Sequence, residues 1–442
     1  MKQSLRVAIN AQLAPDGASG GTVTVLRALT ALAHLEDGAE EYIFIGPYNE
    51  TEWLRSLLPP RQRIVRGPAN AGWWFDRLEP FKRVLGPLRP AARNIKRILN
   101  APATVTMAAS ASAGVSSKHF PPAAPNNFYE SLGCDVIHFP FQSFEPCSLP
   151  SIYNPHDLQH LHHPEFFTPA EIARRESLHP AACRAAHTVV AASQFVKRDI
   201  VAQYGIASEK VQVIPWAPPP LPDSARAPHP DDFSKLKGKY GLNDQPFALY
   251  PAMTWEHKNH IRLIEALARL RDRESFALRL VCTGYKTDFW PRIERRMSEL
   301  GIGGQVKFLG LVPREELSAL YRAAQFVFIP TLFEAASAPV FEAWQHGAPV
   351  ACSSITSLPE QAADAAWLFD PFSVEEIADA LARMTTDNSL RDELKRQGAR
   401  RLDDFSLERT AKAYRAVYRR AAGRALNGED RWLLSWDWMS QS

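Results

Sequence analysis

Phe326-Val-Phe-Ile-Pro330-Thr-Leu-Phe-Glu334-Ala-Ala-Ser-Ala-Pro339-Val-Phe-Glu342-Ala-Trp-Gln-His-Gly347-Ala-Pro349-Val350 decides the architecture of this chain. Residues 326–330 form a short apolar run of the kind that becomes a buried parallel strand. A loop carrying Glu334 follows. A helix then starts near Pro339, whose fixed φ and missing N–H suit a first helical position. Gly347 marks the end of that helix, and residues 349–352 read as the next strand. Strand, loop, helix, strand is the unit of a parallel α/β sheet.

The same alternation runs outward in both directions. Upstream, residues 247–253, 278–283 and 306–309 read as strands, and 261–270 as a helix with Leu263, Ile264, Leu267 and Leu270 on one face. The first half repeats the pattern. Residues 5–10 are followed by the loop 11–21 and a segment with Val25, Leu26, Leu29 and Leu32 at helical spacing. Residues 42–45, 136–139, 151–154, 189–192 and 211–214 are further strands, and the last helix covers about 407–426. At 442 residues the chain exceeds the usual size of one hydrophobic core. Between the halves lies Pro215-Trp-Ala-Pro-Pro-Pro-Leu-Pro222, extended and poor in backbone donors. The expected organisation is an N-terminal Rossmann-like domain (1–218), a linker (219–245), a C-terminal Rossmann-like domain (246–405) and a terminal helix with a tryptophan-rich tail (406–442). Two such α/β domains face each other across a cleft, at the carboxyl ends of their strands.

One segment, 67–127, breaks the alternation with Trp73-Trp-Phe75, scattered Lys and Arg, and an Ala/Ser-rich run. It reads either as a solvated insertion or as a contact with an anionic membrane face. The net charge of +3 is too small to imply nucleic acid as a partner. The five cysteines show no CxxC pair, which fits a reducing compartment. No signal-peptide pattern opens the chain and no apolar run is of bilayer length. The expected location is the cytoplasm, with peripheral contact at the inner membrane face.

The chemistry gathers at strand ends. Ser337, Ala338 and Val340 open the helix after Glu334, where uncovered N–H groups and the positive end of the dipole suit a diphosphate. Glu334 stands before that terminus and Glu342 one turn inside it. Carboxylates make poor phosphate ligands but good acceptors for vicinal hydroxyls, one set on a sugar and one on a ribose. Gly20 and Gly21 open the first helix, where a backbone can approach a phosphate or an acceptor. His156-Asp157 follow the strand 151–154, and His257-Lys258 follow the strand 247–253. His160, His162 and His163 lack a cysteine or carboxylate framework, so no metal site is expected there.

On these residues the chain resembles retaining glycosyltransferase family 4, of the two-domain GT-B fold. Glu334 and Glu342 match its E-x7-E motif, and Ser353-Ser-Ile-Thr-Ser-Leu-Pro359-Glu360 matches its next segment. The resemblance implies a nucleotide-sugar donor, His156 at the transferred sugar, Lys258 at the diphosphate, and the backbone around Leu311 and Val312 at the base. The family's arginine upstream of the lysine is absent. Either His257, another arginine or the helix terminus must then carry its charge. Asp-x-Asp does not occur, so a metal-independent reaction without a cofactor is expected. The run His156-Asp-Leu-Gln-His160 resembles mannosyltransferase-like members, favouring mannose over other hexoses and leaving GDP- or UDP-hexose open. The implied acceptor is a glycan or a lipid-linked saccharide. The alternatives are a non-catalytic nucleotide-sugar-binding subunit of a polysaccharide assembly complex, or an epimerase or phosphorylase on the same fold.

Overall fold

The computed structural model describes residues 4–13, 20–48, 51–68, 127–221, 232–242, 245–274 and 278–438. Most of the irregular segment 67–127 therefore lies outside the described residues. Two sheets are built entirely from parallel pairs. The first holds β1 (Arg6–Asn10), β2 (Glu41–Gly46), β3 (Arg63–Arg66), β4 (Val136–Phe139), β5 (Ser151–Tyr153), β6 (Thr188–Ala191) and β7 (Val211–Val213), in the order β3-β2-β1-β4-β5-β6-β7. The second holds β8 (Phe247–Pro251), β9 (Arg279–Thr283), β10 (Val306–Phe308), β11 (Phe326–Ile329), β12 (Val350–Ser353) and β13 (Trp367–Phe369), in the order β10-β9-β8-β11-β12-β13. Two Rossmann-like domains of the GT-B type result. Central strands such as β4, β11 and β12 are buried at every position, because helices cover both faces of a parallel sheet.

The sequence reading misses the edge strands β3 and β13. Both are short, and only the last residue of β13 is buried, so neither shows the apolar run of a central strand. The second domain also starts earlier than position 246. The helix Asp232–Tyr240 forms inside the expected linker, buries Leu236 and stacks Phe233 on Phe247 of β8 at 6.1 Å. Among the described residues no helix is long and apolar enough to cross a membrane.

The last long helix, Leu407–Ala421, leaves the second domain and packs on the first. Asn154 Nδ2 donates to Tyr414 Oη at 3.0 Å, so its Oδ1 is the acceptor that faces His138 Nε2 at 2.8 Å. Burial holds the His138 pKa at about 3, so the ring is neutral. Nε2–H then donates to Asn154, and Nδ1 accepts from the Tyr418 hydroxyl at 2.7 Å. Outside this seam Arg415 grips Asp37 with both terminal nitrogens, at 2.6 and 3.2 Å. Arg419 joins Glu40 to Asp430 of the helix Gly428–Ser435. Trp438 at the end of the tail is fully buried.

Replacing His138 with Leu strands a buried hydroxyl and a buried amide oxygen. The variant should unfold with about 2–4 kcal/mol less free energy, read from urea denaturation at constant m-value.

Candidate functional site

In each sheet the strand order turns back once, between β1 and β4 and between β8 and β11. Loops at such a point are led apart and leave a crevice at the carboxyl ends of the strands. In the second domain that crevice is bounded by the loop after β8, carrying His257 and Lys258, and the loop after β11, carrying Glu334. Lys258 Nζ reaches Glu334 Oε1 at 2.5 Å, and both side chains are partly exposed. The spacing in sequence is 76 residues, so only the parallel pairing of β8 with β11 creates this pair.

The two loops are stitched together below it. Leu332 N–H donates to the His257 carbonyl at 2.7 Å, and the Tyr250 hydroxyl donates to the Lys258 carbonyl at 2.6 Å. Asn259 adopts φ 60°, in the left-handed region, and its amide donates to the carbonyls of Pro330 and Pro371 at 2.9 and 2.8 Å. That side chain locks the lysine loop to the glutamate loop. Gly284 closes the crevice floor: at φ 116°, a Cβ there would stand 2.7 Å from the Ala252 carbonyl carbon and oxygen. Thr254 Oγ1 accepts from the Thr287 N–H at 2.7 Å, fastening the loop after β8 to the loop after β9.

Glu334 is positioned from its far side. Its N–H donates to Thr356 Oγ1 at 3.1 Å and its carbonyl accepts from Ser357 Oγ at 2.9 Å. The helix Ala338–Gln345 begins as expected, with Pro339 in its first turn and Ser337 at the N-cap position. One expectation changes. The Ser337 N–H is not open to a ligand, because Gln361 Oε1 accepts it at 2.8 Å while Gln361 Nε2 donates to the Ser337 carbonyl at 2.8 Å. Ala338 and Val340 lie in the first turn of that helix. The Ser337 hydroxyl is buried without a hydrogen-bond partner.

Glu342 lies one turn inside that helix. The Tyr321 hydroxyl donates to its Oε2 at 2.7 Å, and burial pushes its pKa up against the pull of Tyr321, Arg314 and Arg27. It lines a small, partly open pocket with Arg314, Tyr321, His346 and Pro219. Leu311 is 74% exposed, after a Gly310 at φ 73°, while Val312 packs against the core.

His156 follows β5 with φ 66°, a left-handed backbone that costs a non-glycine residue about 1–2 kcal/mol. Nε2–H donates to the Pro140 carbonyl at 2.8 Å, and burial lowers the pKa, so the neutral ring keeps Nδ1 as an acceptor. Asp157 is engaged elsewhere: Oδ1 accepts from the Gln159 N–H and from Arg175, both at 3.1 Å. Through Oδ1 that carboxylate orients the His156 loop. Gly20 opens the helix Gly20–Ala31, followed by Gly21. The other three histidines diverge. His162 pairs with Asp199, His163 with Glu165, and His160 is buried beside Phe167 and His179.

Phe333, next to Glu334, is enclosed by Phe195, His162 and His163 of the first domain at 5.7–6.2 Å between ring centroids. Glu360 of the Leu-Pro-Glu segment accepts from the Gln194 N–H at 2.8 Å and from Arg198 at 2.7 Å. The two domains thus meet around the site. His257 faces Phe166 at 6.1 Å, and burial first, then Lys258, push its pKa well below the usual value. Its ring is neutral and supplies no charge for the absent arginine. Gln361 and Tyr321 escaped the sequence reading, and Asn259, Thr356 and Ser357 carried no role in it, because each acts on a partner that no spacing rule connects to it.

The family described as "Glycosyl transferases group 1" matches residues 232–401, and "Glycosyltransferase Family 4" matches residues 117–217. Together they span more than half of the chain. The O-antigen chain mannosyltransferase B of Escherichia coli is 28% identical over 289 residues, covering 61% of this chain and 73% of that protein. The serotype-specific mannosyltransferase WbdA of Escherichia coli is 33% identical over 183 residues, covering 40% of this chain but 22% of that protein. The chain therefore matches only about a fifth of the latter's length. Among solved structures, sucrose-phosphate synthase from Thermosynechococcus elongatus superposes with a TM-score of 0.64 at 18% identity, over 94% of this chain and 98% of that one. Anabaena HepE in complex with UDP and glucose gives 0.63 at 16% identity, over 93% and 99%. At these identities the structures speak for the fold alone.

Asn259→Ala removes three hydrogen bonds, two donated to Pro330 and Pro371 and one accepted from Arg262, and puts a residue less tolerant of the left-handed region in place of asparagine. It should lower the unfolding free energy by about 2–4 kcal/mol. Asn259→Gly loses the same hydrogen bonds but relieves the backbone, and should fall between the parent protein and Asn259→Ala in thermal melts.

Proposed function

The chain is a family 4-like glycosyltransferase of the GT-B fold, a hexosyltransferase, and on that premise we propose that it moves mannose from a nucleotide-sugar donor to a glycan or lipid-linked saccharide, with retention and without a metal. The observation that carries the reading is the Lys258–Glu334 pair at the β8/β11 crevice, beside the start of the helix Ala338–Gln345. A cation and a helix N-terminus converge where a diphosphate needs both. The adjacent carboxylate is an acceptor for sugar hydroxyls.

The donor lies with its diphosphate against Lys258, the Ala338 and Val340 N–H groups, and the buried Ser337 hydroxyl. Its ribose hydroxyls face Glu342, and its base faces the backbone at Leu311 and Val312. The hexose sits between Glu334 and His156, whose Nδ1 accepts a sugar hydroxyl. As the bond from the anomeric carbon to the phosphate oxygen breaks, charge grows on the diphosphate, and Lys258 and the helix terminus stabilise it. The acceptor hydroxyl bonds to the anomeric carbon on the same face, and its proton passes to the departing diphosphate. No enzymic nucleophile is needed in this sequence. The absent arginine is offset by the helix terminus, since His257 is neutral. Similarity to mannosyltransferases of O-antigen and serotype-specific assembly supports mannose and a polysaccharide acceptor. HepE, solved with UDP, keeps a uridine donor in play beside GDP-mannose. The protein acts at the cytoplasmic face of the membrane, where a lipid-linked acceptor is presented.

Incubating the protein with GDP-mannose or UDP-hexoses and mannan-type or lipid-linked acceptors, in the presence of a chelator, checks the reading. Acceptor-dependent release of one nucleoside diphosphate is expected. Glu334→Ala should lower kcat at least ~100-fold and Lys258→Ala should raise donor KM about tenfold, with circular dichroism unchanged. Donor binding without release to any acceptor would point instead to a binding subunit.

A further inference from the structure

The chain crosses from the first domain to the second along Pro215-Trp216-Ala-Pro-Pro-Pro220, just after β7. Prolines at 215, 218, 219 and 220 fix φ and remove N–H donors, so the stretch stays extended and is held by its carbonyls. Thr410 Oγ1 donates to the Pro215 carbonyl at 3.4 Å, Gln345 Nε2 to that of Pro219 at 2.9 Å, and Arg314 to that of Pro220. Thr410 lies on the helix that returns to the first domain, while Gln345 and Arg314 lie on helices of the second. A restricted backbone clipped at both ends gives the aromatic side chain within it, Trp216, a fixed place.

Trp216 is half-buried and touches both halves of the site. On the side of the first domain its ring meets the His156 ring edge-on, with centroids 6.5 Å apart and planes at 64°. On the side of the second it lines a narrow pocket with Ala335, Ala336, Phe341, Ser357 and Gln361. Ala335 and Ala336 directly follow Glu334, Ser357 Oγ holds the Glu334 carbonyl, and Gln361 clamps Ser337. The hydrogen bond from His156 Nε2 to the Pro140 carbonyl anchors one corner of the imidazole, and the edge-on contact with Trp216 restricts its tilt.

We propose that Trp216 is a positioning residue for sugar transfer: it stands between His156 and the Glu334 loop and sets the span across which these two side chains hold one hexose. This deepens the reading above and rests on its placement of the hexose between Glu334 and His156. Reacting groups displaced by about 1 Å lose much of their rate advantage. Removing the ring therefore slows transfer, while the diphosphate and ribose contacts, made by other residues, stay as they are.

Trp216→Met fills the space without a ring, and Trp216→Phe keeps a ring edge. Each is tested in the full chain, alone and combined with His156→Ala. GDP-mannose and UDP-glucose serve as donors, a mannan oligosaccharide as acceptor, and GDP and UDP as sugar-free probes. The single-turnover rate at saturating donor should fall about tenfold in Trp216→Met and less than about threefold in Trp216→Phe. Affinity for GDP or UDP should stay within about twofold of the parent protein, a result that general loosening of the domains would not give. In the His156→Ala background Trp216→Met should cost less than about twofold. A matching loss of nucleoside diphosphate affinity, or an equal penalty in the His156→Ala background, overturns the proposal. If His156→Ala slows transfer but Trp216→Met does not, only the Trp216 role falls. If His156→Ala leaves the rate unchanged, the hexose placement fails and the Trp216 role falls with it.

Discussion

Parallel strands cannot be joined by tight turns, so every connection crosses a face of the sheet, and the chain must at one place start filling the sheet on the other side. In the second domain that place is β8 against β11. The loops leaving these strands diverge, and their separation is the room in which Lys258 and Glu334 meet. Asn259, Thr254 and Gly284 pin the loop after β8 to its neighbours, and Thr356, Ser357 and Gln361 pin the segment after β11. Charged side chains brought this close at the edge of a low-dielectric crevice would scatter without such support.

Charge balance is the second constraint. His257 sits beside Lys258 in the chain, yet burial beside Phe166 leaves it neutral. The positive field at the crevice is therefore made by one lysine and a helix terminus. The residue that looked like a replacement cation serves through its backbone instead, accepting from Leu332 and Thr331. Burial outweighs proximity here because an imidazole, unlike a guanidinium, can shed its proton cheaply near neutrality.

The third constraint is mechanical. The chain passes from the first domain to the second at the proline-rich segment and returns through the helix Leu407–Ala421. Tyr414 and Tyr418 enter the core of the first domain through Asn154, just before His156 in the chain, and His138 of β4. A hydrogen-bonded seam of neutral groups fixes the returning helix at one register, while Arg415 and Arg419 add ion pairs at its rim. The Phe333 cluster and the Glu360 contacts then join the domains on the side of the site itself.

Patterning was enough for the sheets, and local chemistry for the site's main actors. Apolar runs of strand length fix the central strands, because a strand buried on both faces cannot hide its composition. Pro339 and Gly347 bracket a helix through their own backbone restrictions, so Glu334 and Glu342 fall on either side of its first turn in any fold that forms it. Edge strands β3 and β13 left no such trace, being short and half-covered. What tertiary structure alone decided is pairing across long sequence distance. Gln361 closing the Ser337 N–H, Asp157 turning to Arg175, Lys258 meeting Glu334 and the last helix returning to the first sheet all depend on where the fold places two remote segments. No periodicity encodes that order. It is chosen by which faces can be buried together.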